Sequence, residues 1–220
     1  MPRALIVHYS RSGHTARLAQ VLADTLCQRG YDVDTEAIRV ERDWNKWLLP
    51  LPLLPLLPFL PVYLLSERFR RTWHQIFHQP EQAIRPLAIP DVSAYDLLLL
   101  GTPKWLYVSY PVARWLSTVS GLDGRRVAPF ATFCGPPLEV FELEMLFAPL
   151  ADRLQARGAT VVDRLAVSSN AHPYFFFGEM EGLFRFISRQ AYKRPLVDFT
   201  LDGELGQAEV RRFCDAVCPE

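Results

Sequence analysis

Neither charge sign dominates this sequence: 24 lysines and arginines stand against 24 aspartates and glutamates over 220 residues. Bulk electrostatics therefore offers no signature of a nucleic-acid binder, and no nucleic-acid partner is expected. Cysteine is sparse. Cys27, Cys134, Cys214 and Cys218 form no pair of CxxC motifs and no Cys/His metal spacing, so no metal is expected. Cys214 and Cys218, four apart on a predicted helix, read as small buried side chains rather than a redox pair. An apolar strand begins almost at Met1, leaving no room for a signal peptide ahead of it. A reducing, cytoplasmic setting is the expectation. The GxGxxG and GxxxxGK[ST] fingerprints are missing as well, so neither a dinucleotide crossover nor a nucleoside-triphosphate loop is indicated.

What is present begins at once. Ala4 to Val7 is an unbroken apolar run continuing into His8 and Tyr9, then a turn, Ser10-Arg11-Ser12-Gly13-His14-Thr15. Leu18, Leu22 and Leu26 follow at helical spacing. A run apolar at every position suits a strand buried on both faces of a parallel sheet. The turn sets three hydroxyls and backbone N–H groups at a helix start, where unpaired donors and the helix dipole favour an anion such as a phosphate. Those hydroxyls could equally be helix caps.

Gly30 closes the helix, and Tyr31 to Ile38 alternates, with apolar-side Val33, Thr35 and Ala37 against Asp32, Asp34 and Glu36, in the manner of a half-exposed edge strand. Residues 43–90 then form an insertion within a single 1–220 domain. Leu48 to Leu65 carries no charge over 18 residues, a length that invites a membrane span. Pro50, Pro52, Pro55, Pro58 and Pro61 argue against one, because each lacks a backbone donor and clashes with a preceding helical turn. The period-three prolines predict an extended, polyproline-like path. Glu67 to Gln79, with Arg68, Arg70, Arg71, His74 and His78 among Phe69, Trp73, Ile76 and Phe77, predicts a basic amphipathic helix. Four roles stay open for the insertion: a wall against an apolar substrate, a surface for a homodimer or partner, peripheral membrane contact, or a loop packed on its own domain.

Asp96 to Gly101 predicts a second fully buried strand, with Pro111 opening the next helix and Val112, Trp115, Leu116 and Val119 as its buried face. Arg126 to Phe133 predicts the fourth strand, though Pro129 is awkward there. Leu138 to Arg157 predicts a helix, Thr160 to Val167 a fifth strand, Leu183 to Lys193 and Ala208 to Val217 two further helices. Together these give an α/β, doubly wound, five-stranded parallel sheet in the order 2-1-3-4-5, with the ligand where the order reverses. His172, among Tyr174 and Phe175 to Phe177, follows the fifth strand's carboxyl end. It is the one catalytic candidate, as a proton donor, and a histidine without a role reads equally well.

The Ser10–Thr15 turn resembles the phosphate loop of the flavodoxin-like family, roughly [ST]-x-[ST]-G-x-T after the first strand. The resemblance covers about 4–38 and 95–167. It implies FMN, with the phosphate held by Ser10, Arg11, Ser12, Gly13, His14 and Thr15. It further implies that Thr102, Pro103, Lys104, Trp105 and Leu106 lie along the flavin ring, as a GTP-x-x segment does in the family's oxidoreductase and quinone-reductase branches. Thr132, Phe133, Cys134 and Gly135 would form the third flavin loop. The implied activity is hydride transfer from NAD(P)H to an apolar small-molecule acceptor such as a quinone. Electron-carrier flavodoxins are typically very acidic and this chain is not, although a carrier docking on a partner protein is the alternative. The stretch after the second strand more loosely resembles proteins labelled dialkylresorcinol condensing enzymes, which implies flavin-dependent oxidation of a lipid-like cyclic diketone as a further alternative.

Overall fold

The computed structural model describes residues 1–44, 51–76, 78–105, 107–139, 143–169 and 181–218. Strand β1 (Arg3–His8) is followed by α1 (His14–Gln28) and strand β2 (Asp32–Ala37). The ladder runs β2-β1-β3-β4-β5, all parallel, with β3 at Leu97–Pro103, β4 at Arg126–Cys134 and β5 at Thr160–Val161. Strand β6 (Leu165–Ser169) also pairs with β4.

The period-two pattern of β1 sends its side chains to two cores. Leu5 and Val7 join Val112, Trp115 and Leu116 of α4 (Tyr110–Thr118) and Leu146 and Leu150 of α5 (Glu144–Ala156). Ala4 and Ile6 join Leu18, Leu22 and Leu26 of α1 and Val210, Phe213 and Val217 of α7 (Glu204–Val217). Each leucine so buried contributes about 1.5–3 kcal/mol relative to exposure, which is why a chain with two apolar stripes settles as a sheet between helix layers. Gly30, at φ 84°, ends α1 as expected: its N–H donates to the Cys27 carbonyl and that of Tyr31 to the Leu26 carbonyl. The first helix of the carboxyl-terminal part, α6, spans Glu181–Ala191.

Two features of the sheet depart from the sequence expectations. The fifth strand is split into β5 and β6, and the break falls opposite Pro129. Val127 accepts from the Val162 N–H at 3.0 Å, so Pro129, two residues on, turns the same side of its backbone to the edge without a donor. In β2 the carboxylate of Glu36 is buried while Thr35 and Ala37 are exposed. Glu36 accepts the N–H groups of Ala88 (2.6 Å) and Ile89 (3.2 Å), so the returning end of the insertion covers the polar face. The helix expected from Leu138 is helical at Glu139 and Leu143 and runs as α5 from Glu144; residues 140–142 lie outside the described residues.

The insertion is not an extended polyproline path. Leu51–Phe59 is a 3-10 helix, continued by α2 (Leu60–Leu65) and, after Ser66, by α3 (Glu67–Ile76). Both forms repeat every three residues and accept the proline φ, but the 3-10 helix rises about 2.0 Å per residue against about 3.1 Å. The shorter path lets Leu56 and Tyr63 bury against Tyr107 and Met145, beside Phe69 and Trp73. The neck of the insertion is zipped: Glu41 N–H donates to the Ala83 carbonyl and Arg85 N–H to that of Arg39. No helix among the described residues is long and apolar enough to cross a membrane.

Candidate functional site

Because β1, β3 and β4 run parallel, their carboxyl ends open at one edge of the sheet, and main-chain bonds continue past the strands. Tyr9 N–H donates to the Gly101 carbonyl at 3.0 Å, and Lys104 N–H to the Thr132 carbonyl at 2.8 Å. All three loops singled out in the sequence therefore converge on the crevice where the strand order reverses.

The first loop turns at Gly13, whose φ of 89° is left-handed and whose N–H donates to Ser10 Oγ at 3.1 Å. A Cβ there would meet nothing within 4 Å, so the loop is open above it. Helix α1 starts with no side-chain cap and no acidic residue in its first turn, so no carboxylate of its own offsets the positive end of its dipole. Arg11 and Ser12 are exposed, Ser10 and His14 half-buried. Arg11 donates to the Trp44 carbonyl at 2.9 Å, joining this loop to the start of the insertion. Thr15 has another place. It is 1 % exposed, and its hydroxyl bonds that of Thr132 at 2.8 Å. That pair fastens α1 to the end of β4.

In the second loop Thr102 is buried and bonds Ser109 Oγ at 2.8 Å, stapling the turn that carries Pro103, Lys104 and Trp105. Leu106 lies outside the described residues. The half-buried Trp105 ring stands edge-on to Tyr9 (5.9 Å, 89°) and Tyr110 (5.0 Å, 87°), and Tyr110 in turn meets Trp44 at 5.4 Å. Burial first, then the Asp43 carboxylate, pushes the Tyr9 phenol up to about 12, so it stays protonated. His8, at the end of β1, has a buried Nδ1 without a partner, and burial lowers its pKa below the ordinary 6.5.

The third loop is held from the edge strand. Ser169 Oγ donates to the Phe133 carbonyl (3.0 Å) and Ser168 Oγ to that of Gly135 (2.7 Å). Phe133 points into the core with Leu146 and Phe147, and Cys134 Sγ lies 3.7 Å from Ser169 Oγ. Gly135, at φ 94°, lies under the Phe184 ring of α6, which a Cβ would approach to 2.9 Å. His172, Tyr174 and Phe175 to Phe177 lie outside the described residues. A separate cleft of about 460 Å³ between α5, β6 and α7, edged by Arg164 and Arg212, shares only Phe133 with these loops.

Solved structures share this fold. A flavoprotein from Lactobacillus acidophilus NCFM in complex with FMN aligns at a TM-score of 0.50 and 19 % identity, over 76 % of this chain and 93 % of that one. A candidate flavoprotein from Bacteroides uniformis ATCC 8492 aligns at 0.51 and 15 %, over 77 % and 92 %. The fold is flavodoxin-like. No protein-family model and no curated protein sequence matches the chain.

Within this flavodoxin-like frame, sequence reasoning overlooked four aromatic or hydroxyl residues of the crevice: Tyr9, Trp44, Ser109 and Tyr110. Tyr9 had a usable signal, since it directly follows β1. Trp44 and Tyr110 had none, because 66 positions part them and only the zipped neck brings them together.

Proposed function

We propose that this protein binds FMN in the crevice and transfers hydride from NAD(P)H to an apolar acceptor such as a quinone. One observation carries the reading: three loops, bonded to one another at the carboxyl ends of β1, β3 and β4, join an uncapped helix start to an aromatic wall. The residues fit the cofactor. Gly13 leaves open space above α1, and Ser10, having accepted the Gly13 N–H, keeps its proton to donate. Ser12 and the first N–H groups of α1 would complete a phosphate cradle.

Bound there, FMN would supply the two-electron redox chemistry, with nicotinamide as donor. The chain supplies position and environment. Trp105, braced by Tyr9 and Tyr110, presents a rigid apolar wall that excludes water. Thr132, bonded to Thr15, ties the third loop to the first and would hold the two ends of the cofactor site together. The insertion buries Leu56 and Tyr63 against Tyr107, two residues beyond Trp105, and so anchors its body next to the second loop. The half-buried Trp105 supports an apolar acceptor, and the zero net charge suits an enzyme better than an acidic shuttle.

The test is to purify the protein, record its visible spectrum, identify the released flavin, and follow NADH and NADPH oxidation with soluble quinones. Steady turnover is expected. A yellow protein that never oxidises a nicotinamide would make it an electron carrier instead, and one that cannot take up FMN would end the flavin reading.

A further inference from the structure

We infer that the outer face of the insertion docks this protein on the surface of an anionic lipid bilayer. The 51–65 segment has two faces. Leu56 and Tyr63 turn inward and are fully buried, whereas Leu54, Leu57, Phe59, Val62 and Leu65 are 46, 56, 47, 48 and 88 % exposed. Pro55, Pro58 and Pro61 between them are exposed too. No charged residue occurs from Leu51 to Ser66. A continuous apolar surface on a well-packed support is unusual for a protein that meets only water.

Basic charge follows immediately. Helix α3 opens Glu67-Arg68-Phe69-Arg70-Arg71 in a chain whose total charge is zero. Arg70 serves the support: its guanidinium donates to the Tyr63 and Leu64 carbonyls and pairs with Glu144, locking the corner between α2 and α3. Phe59, Phe69 and Trp73 pack across the same corner. Arg68 and Arg71 are exposed. Among the described residues Arg71 meets only Glu67, in a solvated pair of little strength, and Arg68 meets no carboxylate. Exposed leucines beside exposed arginines match the acyl and headgroup layers of an anionic leaflet. A second copy of this chain fits less well, since in a twofold dimer the same patch meets itself and brings like charges together.

The surface is independent of the flavin crevice, and its test can be read separately. The protein is floated with phosphatidylcholine vesicles with and without phosphatidylglycerol, and examined by velocity sedimentation. Flotation with the anionic vesicles, weakened by salt, is expected. The double change Leu57→Asp/Val62→Asp, at exposed positions, should abolish flotation while circular dichroism and flavin content stay as in the parent. Arg68→Gln should lower anionic-vesicle affinity about fivefold. Absence of flotation by the parent protein would overturn the proposal. So would undiminished flotation by the Leu57→Asp/Val62→Asp protein, or a dimer that those changes dissolve while the parent never floats.

Discussion

The hydroxyl pair Thr15–Thr132 makes a quantitative test of how the crevice is held together. The two oxygens lie 2.8 Å apart, with Thr15 at 1 % and Thr132 at 7 % exposure. Thr132→Val keeps nearly the same volume and removes one partner, leaving the Thr15 hydroxyl short of a bond where water does not reach it. Stranding a buried hydroxyl costs about 1–3 kcal/mol, and Thr15→Val should cost a similar amount from the other side. In the double valine variant no hydroxyl is stranded, and only the net worth of the bond is lost, about 0.5–1.5 kcal/mol. The double variant should therefore be less destabilised than the sum of the singles, and no worse than either. Urea unfolding of the four proteins measures this as a coupling energy. For a chain of this size each kcal/mol corresponds to about 2–4 °C in Tm. FMN affinity read on the same set should fall more in the single variants than in the double, because they loosen the spacing of the first and third loops. Single variants that both stay within about 0.5 kcal/mol of the parent and add simply would refute the bond as a fastener.

Other consequences are as direct. Gly13→Asp should abolish FMN retention by putting a carboxylate against the phosphate cradle, whereas Gly13→Asn, which tolerates the left-handed backbone without charge, should retain part of it; equal retention would place the phosphate elsewhere. His8 has a folded-state pKa below 6.5, so the unfolded chain takes up its proton first as pH falls. Stability should therefore be full above 6.5, decline below it, and level off once the folded-state pKa is passed; His8→Gln should flatten that portion of the urea-midpoint profile. Thiol labelling should begin at the exposed Cys27 and reach Cys214 only on unfolding, because Cys214 is fully buried and burial pushes its thiol up to about 11. Rapid labelling of Cys214 in the native protein would contradict its packing against α1.

Local pattern and long-range pairing carried different parts of this molecule. The unbroken apolar runs at 4–7 and 97–100 were enough to mark central parallel strands, because only a strand covered on both faces can afford no polar position. Helix faces were legible from the 3.6 period, and the end of α1 from Gly30 alone. The positions of the three loops followed from strand order, since parallel strands present their carboxyl ends together. Pro129 announced a defect in β4, but only the ladder shows its consequence as a broken neighbour rather than a shifted register. The insertion announced its greasy and proline-rich character, yet its helical path depends on Tyr107 and Met145, residues supplied by other parts of the chain.

The sequence by itself therefore determined the layer architecture, the crevice edge and the hydroxyl- and glycine-bearing turn at Ser10–Thr15, all of which depend on residues within one or two elements. Only the tertiary structure decided that Thr15 faces a hydroxyl 117 positions away, that Glu36 is covered by the returning insertion, and that Trp105 is braced by Tyr9 and Tyr110. Periodicity states how much of a residue is buried. Which group it meets there depends on the closing of long loops, and no local pattern records that.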